Sequence, residues 1–152
     1  MNGLYFVALL SSALALVPTG AHLAEFTSKM QLGAREYLVV QQIYRGWALF
    51  GIVTFGALAS TLVLTLRVRR HPRAFAPALV ALLCLAGTQV LFWVFTYPVN
   101  QETSNWTVMP AAWAALRARW EYSHAAAAVL NTLALVALLV SVLRRPTARA
   151  PS

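Results

Sequence analysis

Four long apolar runs constrain the fold of this chain more than any other feature. They cover residues 4–26, 47–66, 75–97 and 124–143. Roughly 20 apolar residues in a helix cross a hydrocarbon core about 30 Å thick. Inside such a core each segment has to satisfy its own backbone hydrogen bonds, which favours helices. The sequence therefore predicts an all-α bundle of four transmembrane helices.

The composition supports this prediction. The chain has 152 residues, of which 60% are hydrophobic and 11% are charged, whereas about a quarter of the residues in a soluble domain are charged. The net charge of +8 comes mainly from arginines that flank the apolar runs, where they set orientation and contact anionic headgroups. We therefore expect the lipid bilayer as a partner and no nucleic acid.

The first run ends in small residues, as a secretory signal peptide does. The three residues that precede it, Met1 to Gly3, include no lysine or arginine, and secretory leaders normally carry one there. We therefore expect the run to be a transmembrane span.

The basic residues predict the orientation of the bundle. One side would carry seven of them: Arg67, Arg69, Arg70, Arg73, Arg144, Arg145 and Arg149. The other side would carry five: Lys29, Arg35, Arg45, Arg117 and Arg119. Because basic residues near span ends favour the cytoplasm, we predict an up-down-up-down bundle with both termini cytoplasmic. Residues 1–145 would form its single domain, and residues 146–152 a disordered basic tail.

The fourth helix carries a polar stripe. Arg117, Glu121, His124 and Asn131 recur at steps of three, four and seven, so they share one face of a helix. Ionisable side chains within a span are costly and usually face the bundle interior. We therefore expect this stripe to face the other helices.

The first helix carries a matching pair, His22 and Glu25, in the reverse order along the membrane from Glu121 and His124. The first and fourth helices of such a bundle are normally neighbours, so both histidines could lie at one depth with both glutamates just outside them. Other segments could add polar side chains to the same pocket: Gln89, Asn100 and Tyr44. The sequence thus predicts a polar pocket in the outer half of the bundle.

A metal centre is one alternative for this pocket. Glu-x-x-His pairs on facing helices are the ligand pattern of carboxylate-bridged metal sites. The four ligands would be His22, Glu25, Glu121 and His124, a set that suits iron or zinc. We favour an organic ligand with histidine acid–base chemistry, because a di-metal site needs more carboxylates. A purely structural role for the stripe stays open.

Two segments resemble a known family. PVNQETSNW at 98–106 and WAALRARWEYSH at 113–124 are similar to the second half of the anthrone-oxygenase-like family of small four-helix membrane proteins. The resemblance implies that fold and, for a fungal subset, oxygenation of a polycyclic aromatic anthrone to a quinone. The matching residues are Asn100, Trp113, Arg117, Trp120 and His124.

Together these patterns predict a membrane oxidoreductase for a small hydrophobic molecule. We expect His124 to act as a base oriented by Glu121, with His22 as the third catalytic candidate. The substrate-binding candidates are Asn100, Arg117, Gln89, Trp120 and Tyr44. The anion formed by proton removal would react with oxygen, and no cofactor is expected apart from the metal alternative.

A non-catalytic subunit of a larger membrane complex is the rival prediction. In that role the polar stripe would hold helices together and its histidines would be fully bonded to neighbours. A transporter is disfavoured, because four spans without an internal repeat offer little machinery for alternating access. The alanine- and arginine-rich usage is compatible with a bacterial inner membrane, and a homo-oligomer stays open.

Overall fold

The computed structural model describes residues 2–145 and is built from helices, with no strand among those residues. Its α-helices are α1 (Asn2–Gln31), α2 (Ala34–Gln41), α3 (Phe50–Val68), α4 (Pro72–Leu91), α5 (Tyr97–Glu102) and α6 (Trp113–Leu143). Short 3-10 helices (Gln42–Tyr44 and Trp47–Leu49) and a π-helix (Phe92–Thr96) connect some of them. The predicted all-α fold is confirmed, while the predicted tail at 146–152 lies outside the described residues.

Four helical stretches are long and apolar enough to cross a membrane: Asn2–Gln31, Trp47–Val68, Pro72–Glu102 and Trp113–Leu143. They match the four predicted spans, extended at several ends by polar residues. The architecture is that of a multi-pass integral membrane protein.

The four spans form a closed ring. Helix α1 packs on α3, α3 on α4, α4 on α6 and α6 on α1, so the first and last spans are neighbours as predicted. At one end of the ring, Arg145 donates to the Asn2 side chain over 2.7 Å and the Ser141 hydroxyl donates to the Ala74 carbonyl over 2.8 Å. Both ends of the described chain and the α3–α4 link therefore lie at this end.

Small residues line the helix contacts. Ala57, Ala78, Ala81 and Ala134 are fully buried, and a β-carbon added at Gly87 would lie 3.1 Å from a methyl group of Leu130. In a membrane, apolar side chains gain little free energy by moving from lipid to a helix contact. Small residues stabilise helix pairs there because they let the two backbones approach closely. The ring is thus held together by close packing.

Helix α4 changes to π geometry because of a proline. Pro98 has no N–H and its ring crowds the carbonyl four residues earlier, which belongs to Val94. The guanidinium of Arg119 on α6 donates a hydrogen bond to that carbonyl. The π-helix therefore has an identifiable cause, and such segments are frequent at functional sites.

A packing substitution tests the close helix contact. Replacing Ala134 by leucine adds three carbons where no space exists, so we expect a loss of about 1–3 kcal/mol in the free energy of unfolding. Val136 on the same helix is 51% exposed, and Val136→Leu is the matched control. Denaturant unfolding in detergent micelles measures both variants, and equal stability for the two would contradict the packing account.

Candidate functional site

A buried lysine lies at the centre of the site. The side chains of Lys29 and Glu121 are only 3% and 0% exposed, and the lysine Nζ lies 3.0 Å from Glu121 Oε1. Tyr37 donates to the same Oε1 over 2.8 Å. Glu25 lies 3.7 Å from the ammonium and accepts a hydrogen bond from Tyr44. These contacts join α1, α2 and α6.

The two tyrosines of this cluster act as hydrogen-bond donors. Burial and the nearby Glu121 carboxylate raise the pKa of Tyr37 well above its usual value. Burial and the hydrogen bond to Glu25 raise the pKa of Tyr44 in the same direction. Both phenols therefore stay protonated at neutral pH and stabilise the carboxylates that balance Lys29.

Next to this cluster the two predicted histidines meet. The ring centroids of His22 on α1 and His124 on α6 are 4.4 Å apart in an edge-to-face arrangement. The His22 ring also contacts Tyr44 at 4.4 Å and Trp120 at 4.8 Å, while His124 packs on Trp120 at 3.9 Å. The imidazoles thus lie at one depth, inside a box of aromatic rings.

Each histidine uses one ring nitrogen within the protein. His22 Nδ1 lies 3.1 Å from Lys29 Nζ, and His124 Nδ1 lies 2.9 Å from the Trp120 carbonyl. Within residues 2–145, the Nε2 atom of each ring has no hydrogen-bond partner, and neither atom is fully buried. Both residues line a cavity. Because a carbonyl only accepts, Nδ1 of neutral His124 carries the hydrogen and Nε2 keeps a lone pair. His124 therefore presents a base to the cavity.

The cavity has a volume of about 670 Å³, within the range typical of small-molecule sites. Its lining includes aromatic side chains, with Trp47 and Phe50 at the start of the second span and Phe92 and Trp93 in the π-helix. Polar side chains line it as well. A space of this size can hold a small organic molecule.

Two exposed aromatic side chains line the cavity on α3 and the π-helix. Phe55 is 55% exposed and Trp93 is 52% exposed. Phe55 lies eight residues into the span that starts at Trp47, which is roughly 12 Å along a helix. This part of the cavity lining therefore lies at the depth of the lipid chains.

The cavity also offers amide groups. The Asn100 Oδ1 accepts from the Trp120 indole N–H over 2.8 Å, which leaves the amide N–H₂ of Asn100 as a donor. Gln89 lines the same cavity. Neither this amide nitrogen nor the Gln89 side chain has a hydrogen-bond partner in the described part of the chain. Both can therefore donate to a ligand oxygen.

Of the predicted site residues, six line the cavity: His22, Tyr44, Gln89, Asn100, Trp120 and His124. Three do not. Glu25 and Glu121 bind Lys29, so the prediction that Glu121 orients His124 is wrong, and the Trp120 carbonyl does so instead.

The third is Arg117, which lies outside the cavity lining. Its guanidinium donates to the carbonyls of Lys29 and Leu32 over 3.4 and 2.6 Å and lies 4.7 Å from the Trp113 ring centroid. Carbonyls at the end of a helix have no partner within it. Arg117 therefore stabilises the end of α1.

Sequence reasoning missed Lys29, which it counted as one more charge at the outer surface. A signal was present: Lys29 follows Glu25 by four residues and His22 by seven, a spacing that puts all three on one face of α1.

The position of Lys29 also argues against the predicted metal site. Its ammonium already occupies the space between the proposed ligands, and no group of three or more metal-ligating side chains occurs within residues 2–145.

Comparison with known proteins gives no relative: the chain matches no protein-family model, no curated protein and no solved structure.

Removing one partner of the buried ion pair is expected to lower the free energy of unfolding. Lys29→Met would leave the Glu121 carboxylate without its cation, so we expect a loss of about 3–5 kcal/mol in the free energy of unfolding. The double variant Lys29→Met/Glu121→Gln should recover most of that loss, because no charge then lacks a partner. Unfolding in micelles measures both, with Arg35→Met at an exposed position as control. A single variant as stable as the control would contradict the role of the pair.

Proposed function

We propose that this protein is a membrane oxygenase that converts a flat, lipophilic anthrone-type phenol to a quinone with dioxygen, as in the anthrone-oxygenase-like family. The proposal is carried by His124, which lines a cavity of about 670 Å³ and directs Nδ1 to the Trp120 carbonyl, so that its neutral ring keeps a lone pair on Nε2. A base in such a place can remove an acidic proton from a conjugated ring.

The overall reaction is R₂CH₂ + O₂ → R₂C=O + H₂O. His124 takes the first proton from the substrate, either from the reacting carbon or from the hydroxyl of the enol form, and both routes give the same conjugated anion. The anion gives an electron pair to dioxygen at the reacting carbon, and His124 returns its proton to the peroxide oxygen, so that a hydroperoxide forms. Loss of the second proton from the same carbon breaks the O–O bond, expels hydroxide and leaves the carbonyl. The anion supplies the electrons, and the second proton and the hydroxide leave as water.

Asn100 and Gln89 support this chemistry. As the first proton leaves, negative charge moves to the oxygen conjugated with the reacting carbon. Preorganised donors stabilise such a developing oxyanion more in a water-poor site than in water. The Asn100 amide is held by the Trp120 indole, so it needs little reorganisation. We assign Asn100 the main oxyanion contact and Gln89 a second one.

The free ring nitrogens favour a site over a purely structural role. A non-catalytic subunit would use both histidines to bind its own helices together, and each would then be bonded at both nitrogens. Here each imidazole leaves one nitrogen for the cavity. The glutamates, by contrast, are engaged within the bundle.

The charge distribution supports a bacterial inner-membrane protein with the cavity in its outer half. One end of the bundle carries six arginines within the described residues: Arg67, Arg69, Arg70, Arg73, Arg144 and Arg145. At the other end, Lys29 and Arg117 bind within the protein. The arginine-rich end, which holds both ends of the described residues, would then face the cytoplasm.

The decisive variant is His124→Gln, which removes the base. We expect kcat/KM for an anthrone to fall by at least about 100-fold, measured as oxygen uptake and quinone absorbance in lipid nanodiscs. His71 is exposed in the α3–α4 link, so His71→Gln is the control and should keep full activity. Wild-type protein that consumes no oxygen, or a His124→Gln variant with unchanged turnover, would refute the proposal.

A further inference from the structure

The two histidines differ in what their first ring nitrogen contacts. Nδ1 of His124 faces a carbonyl, which is an acceptor. Nδ1 of His22 faces the Lys29 ammonium at 3.1 Å, and an ammonium has only donors. In the neutral His22 ring, Nδ1 must therefore hold the lone pair and Nε2 the hydrogen. The two rings are opposite tautomers.

We propose that Lys29 is a positioning residue that fixes His22 as the Nε2–H tautomer, so that the cavity presents one donating and one accepting imidazole side by side. The hydrogen bond to a ring nitrogen sets which tautomer a histidine adopts. Lys29 itself does not line the cavity. It acts on a ligand only through His22.

The surroundings of Lys29 hold it in place for this role. Its Nζ is 3.0 Å from Glu121, and that carboxylate oxygen also accepts from Tyr37. The ammonium further lies 4.9 Å from the Tyr44 ring centroid and 5.1 Å from that of Trp120. With its side chain almost fully buried, Lys29 has little freedom to turn away from His22.

This arrangement specifies the group that binds between the imidazoles. One hydroxyl oxygen can donate its hydrogen to His124 Nε2 and accept from His22 Nε2–H at the same time, since the ring centroids are only 4.4 Å apart. In the enol form of the substrate, His124 takes the proton of this hydroxyl, which gives the same conjugated anion as loss of the carbon proton. The N–H of His22 then stabilises the oxyanion. Resting on the proposed function, we infer that the substrate presents a phenolic or enolic hydroxyl here. An ether at the same position could not donate.

The tautomers can be read directly by ¹⁵N NMR of histidine-labelled protein. The chain has three histidines, so single His→Gln variants assign each signal. We expect Nε2–H for His22 and Nδ1–H for His124 in the wild type. In Lys29→Met/Glu121→Gln, Nδ1–H should become populated at His22, whereas Arg35→Met, at an exposed position, should keep the wild-type pattern.

The wild-type spectrum decides the proposal even if the double variant does not fold: an Nδ1–H tautomer at His22 would overturn it. An unchanged tautomer in a folded double variant would overturn it as well. This measurement needs no turnover, so it can succeed even if oxygenase activity is absent.

Binding tests the ligand group with 2-hydroxyanthraquinone and 2-methoxyanthraquinone, which are already quinones and need no turnover. Since one hydrogen bond changes affinity by about tenfold, the wild type should bind the hydroxyl compound about tenfold more tightly. The double variant should bind it about tenfold more weakly than the wild type, while Arg35→Met stays close to the wild type. Equal binding of the two compounds by the wild type, or unchanged binding in the double variant, would contradict the hydroxyl site.

Discussion

Lys29 and Glu121 place opposite charges between two helices, almost fully removed from solvent. In a medium of low dielectric constant such charges are tolerated only when they are paired and hydrogen-bonded. The pair therefore fixes the rotation and depth of α1 against α6. His22 and His124 belong to the same two helices and meet because of that register. The ion pair therefore determines where the two imidazoles lie in the site.

The helices pack closely at one end of the bundle, and the cavity lies toward the other end. At the arginine-rich end, buried alanines and short hydrogen bonds hold the helices close. Toward the other end Pro98 interrupts the regular helix, and the π-helix before it lines the cavity together with residues of α3. Phe55 and Trp93 line the cavity and are exposed, and Phe55 lies at the depth of the lipid chains. We therefore expect a lipophilic molecule to enter the cavity from the bilayer.

The sequence predicted most of the fold, because hydrophobic length and helical spacing are local properties of the chain. The same spacing predicted that His22 and His124 would face each other. It could not predict what each buried group would bind, since that depends on side-chain reach across helices. Glu121 was therefore assigned to His124, whereas Lys29 and Tyr37 occupy it. Lys29 was counted only among the charges of the outer side, and its burial could not be predicted for the same reason: a long side chain can turn inward when a carboxylate is within reach.

A density map of the protein in lipid nanodiscs with bound 2-hydroxyanthraquinone would test the central claim most directly. The account predicts the ligand in the cavity, with its hydroxyl oxygen within hydrogen-bond distance of Nε2 of both His22 and His124. Lys29 would remain between His22 and Glu121. A ligand bound elsewhere, or imidazoles turned toward the acyl chains, would contradict the account.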